Sequence, residues 1–258
     1  MPLAVRQRLF DWGPYGYRGR YDDWAAAVRA SIGYQSPVVL EKTRQATARV
    51  RAGQAAYQQD GVALPELPEH GYRIALIAAS AALERGGRLR VVDFGGALGG
   101  TYFGCRTFLG PHGDISWTVV EQATYCECGR REFADQQLSF SEGIEAAMAQ
   151  GRPDVIICSS VLQFLEQPLS VLRQLFDLGA RHLVVDRTPF SASGNAEITV
   201  QRVPPGLYRA SFPSWLLSER EFLHTAAASG YHVWRHWDFQ SAFTARATFK
   251  GFVFRPKC

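Results

Sequence analysis

Apolar residues recur at helical spacing through the first third of the chain, then gather into short unbroken runs. Asp22 and Asp23 can cap a helix that puts Trp24, Val28 and Ile32 on one face. Ser36-Pro37 reads as the N-cap and first residue of a longer helix, with an apolar stripe of Val39, Thr43, Ala46, Val50 and Tyr57. The two prolines within 61–68 break it. A third helix is expected over 69–83, ended by Gly86-Gly87.

Beyond Gly87, apolar runs at 89–94, 117–120, 138–140, 155–158 and 183–185 predict strands. Helical patterns at 99–109, 123–134, 142–150 and 168–178 lie between or beside them. Runs without polar alternation suit strands covered on both faces, so a parallel α/β sheet is expected. Ser218-x-x-Glu221 reads as a capping box opening a helix that ends at Gly230. Strands at 231–237 and 248–254 follow with no helix between them, so that pair must be antiparallel. The pattern divides the chain into an N-terminal helical segment, 1–87, and a core, 88–258. Residues 187–217 form an insertion far longer than the usual strand-to-helix connection.

With 258 residues, 47% of them hydrophobic and 20% charged, the chain can bury a large core, which excludes disorder as a description of the whole. Its longest helix-like apolar run, 74–83, is too short for a bilayer, and residues 1–12 lack the apolar centre of a secretory signal. A cytoplasmic protein without a membrane span is expected. Net charge is +4, and all but three of the 28 Lys and Arg are arginines. Their scatter gives no stripe for a nucleic acid, the nearest group being Arg85, Arg88 and Arg90. The five cysteines show no disulfide framework. Cys126-Glu-Cys128 lacks two further ligands for zinc, so no metal is expected and the thiols read as reduced.

Chemistry gathers where strands end. Asp93, Glu121-Gln122, Ser159-Ser160 and Asp186 follow four of the apolar runs. In open α/β sheets ligands bind at the carboxyl ends of strands. Carboxylates and hydroxyls delivered to one edge describe a site for a ligand with a ribose and a cation. The first turn, Asp93-Phe-Gly-Gly-Ala-Leu-Gly-Gly100, lets the backbone approach a ligand closely. A pyrophosphate at the following helix would be repelled by Asp93, whereas an ammonium group would be held.

Asp93-x-Gly95-x-Ala97-x-Gly99, with Glu121 ending the next strand, resembles motif I of class I S-adenosylmethionine (SAM)-dependent methyltransferases. Ala97 replaces that family's middle glycine. A narrower resemblance is to a bacterial methyltransferase family often found among surface-polysaccharide biosynthesis genes. It is carried by Tyr-Asp-Asp-Trp-Ala-Ala-Ala (21–27), Ile-Gly-Tyr (32–34), Leu-Arg-Val-Val-Asp-Phe-Gly-Gly-Ala-Leu-Gly (89–99) and Val-Val-Glu-Gln (119–122). Further on it includes Ser-Ser-Val-Leu-Gln-Phe-Leu-Glu (159–166), Val-Asp-Arg-Thr-Pro-Phe (185–190), Ile-Thr-Val-Gln-Arg-Val-Pro-Pro (198–205) and Ser-Phe-Pro-Ser-Trp (211–215).

The resemblance implies a Rossmann-like sheet with an antiparallel last strand, an N-terminal helical lid, and SAM as cofactor. It places Asp93, Gly95, Gly96 and Gly99 at the methionine and ribose, Glu121 on the ribose hydroxyls, and Gln122 and Glu142 by the adenine. Ser159, Ser160 and Gln163 would stand near the methyl group, with Tyr102 walling the pocket. Asp186 is the expected general base and Arg187 the group orienting an anionic acceptor, ahead of His112 and His224. Within 187–217, Arg202, Tyr208 and Trp215 are suited to a sugar or sugar nucleotide; the alternatives are a β-ribbon packed on the N-terminal helices or a homodimer contact. A SAM-binding partner subunit without activity and an NAD(P)-dependent oxidoreductase are the competing functions. Asp93 and the final hairpin count against the latter.

Overall fold

The computed structural model describes residues 13–33, 37–110, 114–148, 151–204, 206, 209–239 and 244–257. Strand β1 (Gly16–Tyr21) leads into a short helix, α1 (Trp24–Arg29), capped by the Asp23 carboxylate, which accepts from Ala26 N at 2.7 Å. The helix buries Ala27 rather than Val28 or Ile32, which are 48% and 71% exposed. It stops at Arg29, and Trp24 with Ala27, at i, i+3, makes its inner face. Helix α2 (Pro37–Arg51) buries Val39, Thr43, Ala46 and Val50 as its stripe predicts. Tyr57 is not on it. It begins β2 (Tyr57–Gln59), which pairs with β3 (Val62–Leu64) through an Asp60-Gly61 turn with both residues at positive φ. Asp-Gly is a hairpin signal, and the sequence reading treated this segment only as a break. Helix α3 (Glu69–Glu84) follows and ends at the positive-φ Gly86-Gly87 pair.

The core strands are β4 (Arg88–Phe94), β5 (Asp114–Val120), β6 (Leu138–Ser141), β7 (Val155–Ser159) and β8 (His182–Ser191), all mutually parallel. Helices α4 (Gly100–Leu109), α5 (Ala123–Glu132), α6 (Ile144–Ala147) and α7 (Pro168–Asp177) lie between them; α6 is a single turn, shorter than expected. Residues 187–217 form strands, in line with the β-ribbon alternative. Strand β8 runs on to Ser191, and β9 (Glu197–Arg202) pairs with both β1 and β10 (Ser211–Leu216) in a second, antiparallel sheet of order β1-β9-β10.

Helix α8 (Glu219–Ala228) starts at Ser218 without the expected capping box: the Ser218 hydroxyl accepts no helix N–H and is oriented to donate to Gly194 O at 2.9 Å. Strands β11 (Tyr231–Phe239) and β12 (Ala247–Pro256) are antiparallel, as expected, and β12 inserts between β8 and β11. The main sheet therefore has the order β11-β12-β8-β7-β4-β5-β6.

Each face of this sheet is covered by an apolar layer. One includes Ile74, Ala75 and Ala78 of α3 with Leu89, Trp117 and Phe133; the other includes Leu172, Leu175, Phe222 and Phe254. The N-terminal segment thus shares the core of residues 88–258. Among the described residues no helix is long and apolar enough to cross a membrane, and Cys105, Cys126, Cys128 and Cys158 are free and buried.

Candidate functional site

The carboxyl ends of β4, β5 and β7 and the middle of β8 open onto one cleft of about 690 Å³, solvent at its mouth included. β4 contributes Asp93 and the loop after it Gly95, Gly96 and Ala97; the ends of β5 and β7 contribute Glu121, Ser159 and Ser160, and β8 contributes Arg187. Above them α2 adds Val39 and Thr43, and the β2–β3 hairpin adds Tyr57, Gln58, Gln59 and Asp60. Four described non-glycine residues have positive φ: Asp60 (52°), Ala97 (52°), Ser160 (57°) and Arg187 (48°). All four line this cleft. Each conformation costs an L-residue on the order of 1–3 kcal/mol, and such outliers gather where function demands a shape.

Local packing explains the glycines. A Cβ on Gly96 would stand 2.5 Å from the Asp93 carboxyl carbon, and one on Gly95 2.5 Å from Val161 Cγ2. The loop is closed by Glu121, whose Oε1 accepts from Ala97 N at 3.3 Å and whose Oε2 accepts from Gln122 N at 2.8 Å. Burial raises the Glu121 pKa against these two hydrogen bonds. Asp93 is fully enclosed, and burial pushes its pKa up to about 7 despite a 3.2 Å hydrogen bond from Trp117 Nε1. The nearby Glu121 raises it further. Two carboxyl groups, both disfavoured as anions by burial, thus face one glycine-lined cleft, where a cationic ligand would stabilise their charged forms.

Arg187 reaches the cleft through a bulge. Thr188 pairs with Lys250 and Val185 with Phe252, so Asp186 and Arg187 together oppose the single residue Gly251. A bulge of this kind re-aims a side chain. Arg187 Nε then donates to Ser159 Oγ at 3.4 Å and lies 4.0 Å from Asp186 Oδ2. Asp186 itself lies beneath the cleft, fully buried. Its Oδ2 accepts from Ser159 Oγ at 3.3 Å and its Oδ1 from Trp237 Nε1 at 3.1 Å. Burial raises its pKa to about 6, against the Arg187 charge and these hydrogen bonds.

No protein-family model matches the chain, and no curated protein matches it. Solved structures do. The N-terminal domain of EvdMO1, determined in the presence of S-adenosylhomocysteine (SAH) and D-fucose, aligns with a TM-score of 0.54 at 14% identity, over 83% of this chain and 97% of that one. The CcbJ methyltransferase from Streptomyces caelestis aligns with a TM-score of 0.51 at 16% identity, over 74% and 91%. The chain has the class I methyltransferase fold.

On this methyltransferase fold the expected site residues separate into two groups. Asp93, Gly95, Gly96, Glu121, Ser159, Ser160 and Arg187 come together in the cleft. Others do not join its lining. Tyr102 is a correction: it is fully buried in the apolar layer, edge-on to Trp117, with its hydroxyl within hydrogen-bond reach of Asp135 (3.3 Å) and Gln137 (3.2 Å). One position earlier on α4, Thr101 takes the cleft-facing place. Gly99 begins α4 at φ 84° beside Leu138. Gln122 is an exposed N-cap, and Glu142 is exposed and paired with Arg130 at 2.7 Å. Gln163 is buried behind the lining, donating to Ser160 Oγ at 3.1 Å.

The acceptor-side expectations also shift. Asp186 does not line the cleft, so it is no open base. Arg202 is exposed at the end of β9. Trp215 stacks on Trp24 at 6.1 Å and donates to Leu165 O, tying β10 to α1, away from the cleft lining. Tyr208 and His112 lie outside the described residues. Sequence reasoning missed Tyr57, Gln58, Asp60 and Trp237. The Asp60-Gly61 turn was the available signal for the hairpin, while Trp237 had none beyond its place on the last hairpin.

Proposed function

We propose that this chain is a SAM-dependent methyltransferase acting on a hydroxyl of a sugar or another small polar acceptor, with residues 1–87 serving as a lid over the core. The observation that carries the reading is the pairing of Asp93 and Glu121 around the glycine loop of a class I methyltransferase fold. The residues fit that cofactor: the two carboxylates suit a cationic ligand, and Glu121 can accept from vicinal ribose hydroxyls. When bound, SAM supplies an electrophilic methyl group on a sulfonium.

The chain's own part is binding and orientation, which methyl transfer needs more than acid–base work. Asp93 faces the ammonium end. Ser159, Ser160 and Arg187 line the acceptor side, and Asp186 fixes Ser159 from below as a positioning residue. Tyr57, Gln58 and Val39 line the cleft from above. The sugar preference draws on the polysaccharide-associated sequence words and on the D-fucose present with the EvdMO1 domain. Titration calorimetry with SAM, SAH and NAD tests the cofactor. SAM and SAH should bind and NAD should not; binding of NAD alone would refute the reading.

A further inference from the structure

Two buried nitrogens one turn apart on α3, His70 Nε2 and Arg73 Nη1, have no hydrogen-bond partner in the protein. Both side chains pack on Phe239 at the end of β11. The His70 and Phe239 rings are 6.3 Å apart, and Arg73 Cζ lies 5.7 Å from the Phe239 ring and 5.1 Å from Trp237. On its other side His70 meets Tyr57 edge-on at 5.6 Å, and Tyr57 lines the cleft. His70 is only 6% exposed, so bulk water does not satisfy it. Burial, together with the charges of Arg187 and Arg73, holds its pKa down to about 3, leaving a neutral imidazole. Glu69 binds the other amino group of Arg73, so Nη1 points a charged donor into the cluster unaided.

We propose that His70 and Arg73, with Arg187 on the cleft side, form an oxyanion subsite for the acceptor. A carboxylate or phosphate of the acceptor accepts from Arg73 Nη1 and, in the Nε2-protonated tautomer of the neutral imidazole, from His70 Nε2 as well. A charged donor and a neutral imidazole side by side suit an acidic sugar better than a neutral one. The assignment rests on the methyltransferase reading for its substrate but not for its chemistry.

The test titrates inorganic phosphate and acetate separately into SAH-saturated protein, with calorimetry and the His70 imidazole nitrogen shifts as readouts. At least one anion should bind and move His70 Nε2, and which one binds identifies the acid group. Arg73→Gln should weaken that binding at least about tenfold while SAH affinity stays within about twofold, as expected for losing one charge-assisted hydrogen bond. No His70 shift with either anion, or unchanged anion binding in Arg73→Gln, would overturn the subsite. The shifts in the unaltered protein decide the matter if the variant fails to fold. Should SAH itself not bind, that failure belongs to the cofactor reading, and the same titration of the free protein still decides this one.

Discussion

Trp237 on β11 donates its indole N–H to Asp186 on β8 at 3.1 Å, reaching across the intervening strand β12. Gly251 makes the reach feasible, since a Cβ there would lie 2.2 Å from the indole. Trp237→Phe keeps an aromatic side chain, though a smaller one, and removes the hydrogen bond that Asp186 Oδ1 accepts from the indole. It should lower stability by about 1–3 kcal/mol in urea unfolding, the cost of an under-satisfied buried acceptor. Gly251→Ala should also destabilise, by displacing the indole. Wild-type stability in both would detach Trp237 from the site's architecture.

Asp93 sets a pH dependence. Its folded pKa, about 7, lies above the ordinary 3.8, so the folded state holds a proton that the unfolded chain has released between those values. Stability therefore falls as pH rises through that window, with a slope of at most about 1.4 kcal/mol per pH unit for one group. Asp186, raised to about 6, acts in the same direction over a narrower window. Melting temperature followed from pH 4 to 8 should decline less steeply in Asp93→Asn than in wild type. Parallel curves would show that Asp93 does not hold that proton.

Ala97 occupies the middle-glycine position of the motif with φ 52°. Left-handed backbone costs an alanine about 1–2 kcal/mol, partly offset by the unfolded-state entropy that a glycine adds. Ala97→Gly should thus stabilise the protein by roughly 0.5–1 kcal/mol without weakening SAM binding. Destabilisation in urea would mean that the alanine methyl packs usefully.

Glu121 holds the loop through Ala97 N and Gln122 N while facing the cleft. Glu121→Ala should cost about 1.5–3 kcal/mol of SAM affinity by calorimetry, the value of charge-assisted hydrogen bonds. Glu121→Gln keeps one acceptor and should lose less. Equal affinity in all three proteins would remove Glu121 from the ligand.

Much of this was legible in the sequence, for identifiable reasons. Strands buried on both faces write themselves as unbroken apolar runs, so β4, β5, β7 and the start of β8 were found, and the residues just after three of them proved to line the cleft. What failed was whatever depends on a distant partner. β1 is polar enough (Arg18, Arg20) to read as loop, and it becomes a strand because β9 pairs with it. The hydroxyl of Ser218 reads as a helix cap, yet it caps nothing and is turned toward Gly194 O, 24 residues earlier, to which it donates. Tyr102 and Thr101 are adjacent, and only the angle at which α4 leaves the loop decides which faces the ligand.

A chain beginning at Arg88 would lose Ile74, Ala75 and Ala78 from one face of the sheet, and Tyr57 to Asp60 from the cleft. It should be insoluble or bind SAM at least about tenfold more weakly, since several buried apolar side chains are each worth about 1.5–3 kcal/mol. Full binding by that shortened form, measured by calorimetry, would show that the segment is no lid.

The pairing of Gly16 with Arg202 carries a consequence for biosynthesis. Emerging from the ribosome, β1 has no complementary edge until β9 has been made, so it must wait, unpaired, until then. Closing so large a loop is slow, because its entropy is lost before the contact repays it. The sheet core can assemble around its local βα units meanwhile. Conditions that weaken β9 should therefore yield a chain with an ordered main sheet and an unattached β1, vulnerable to proteases at that strand first.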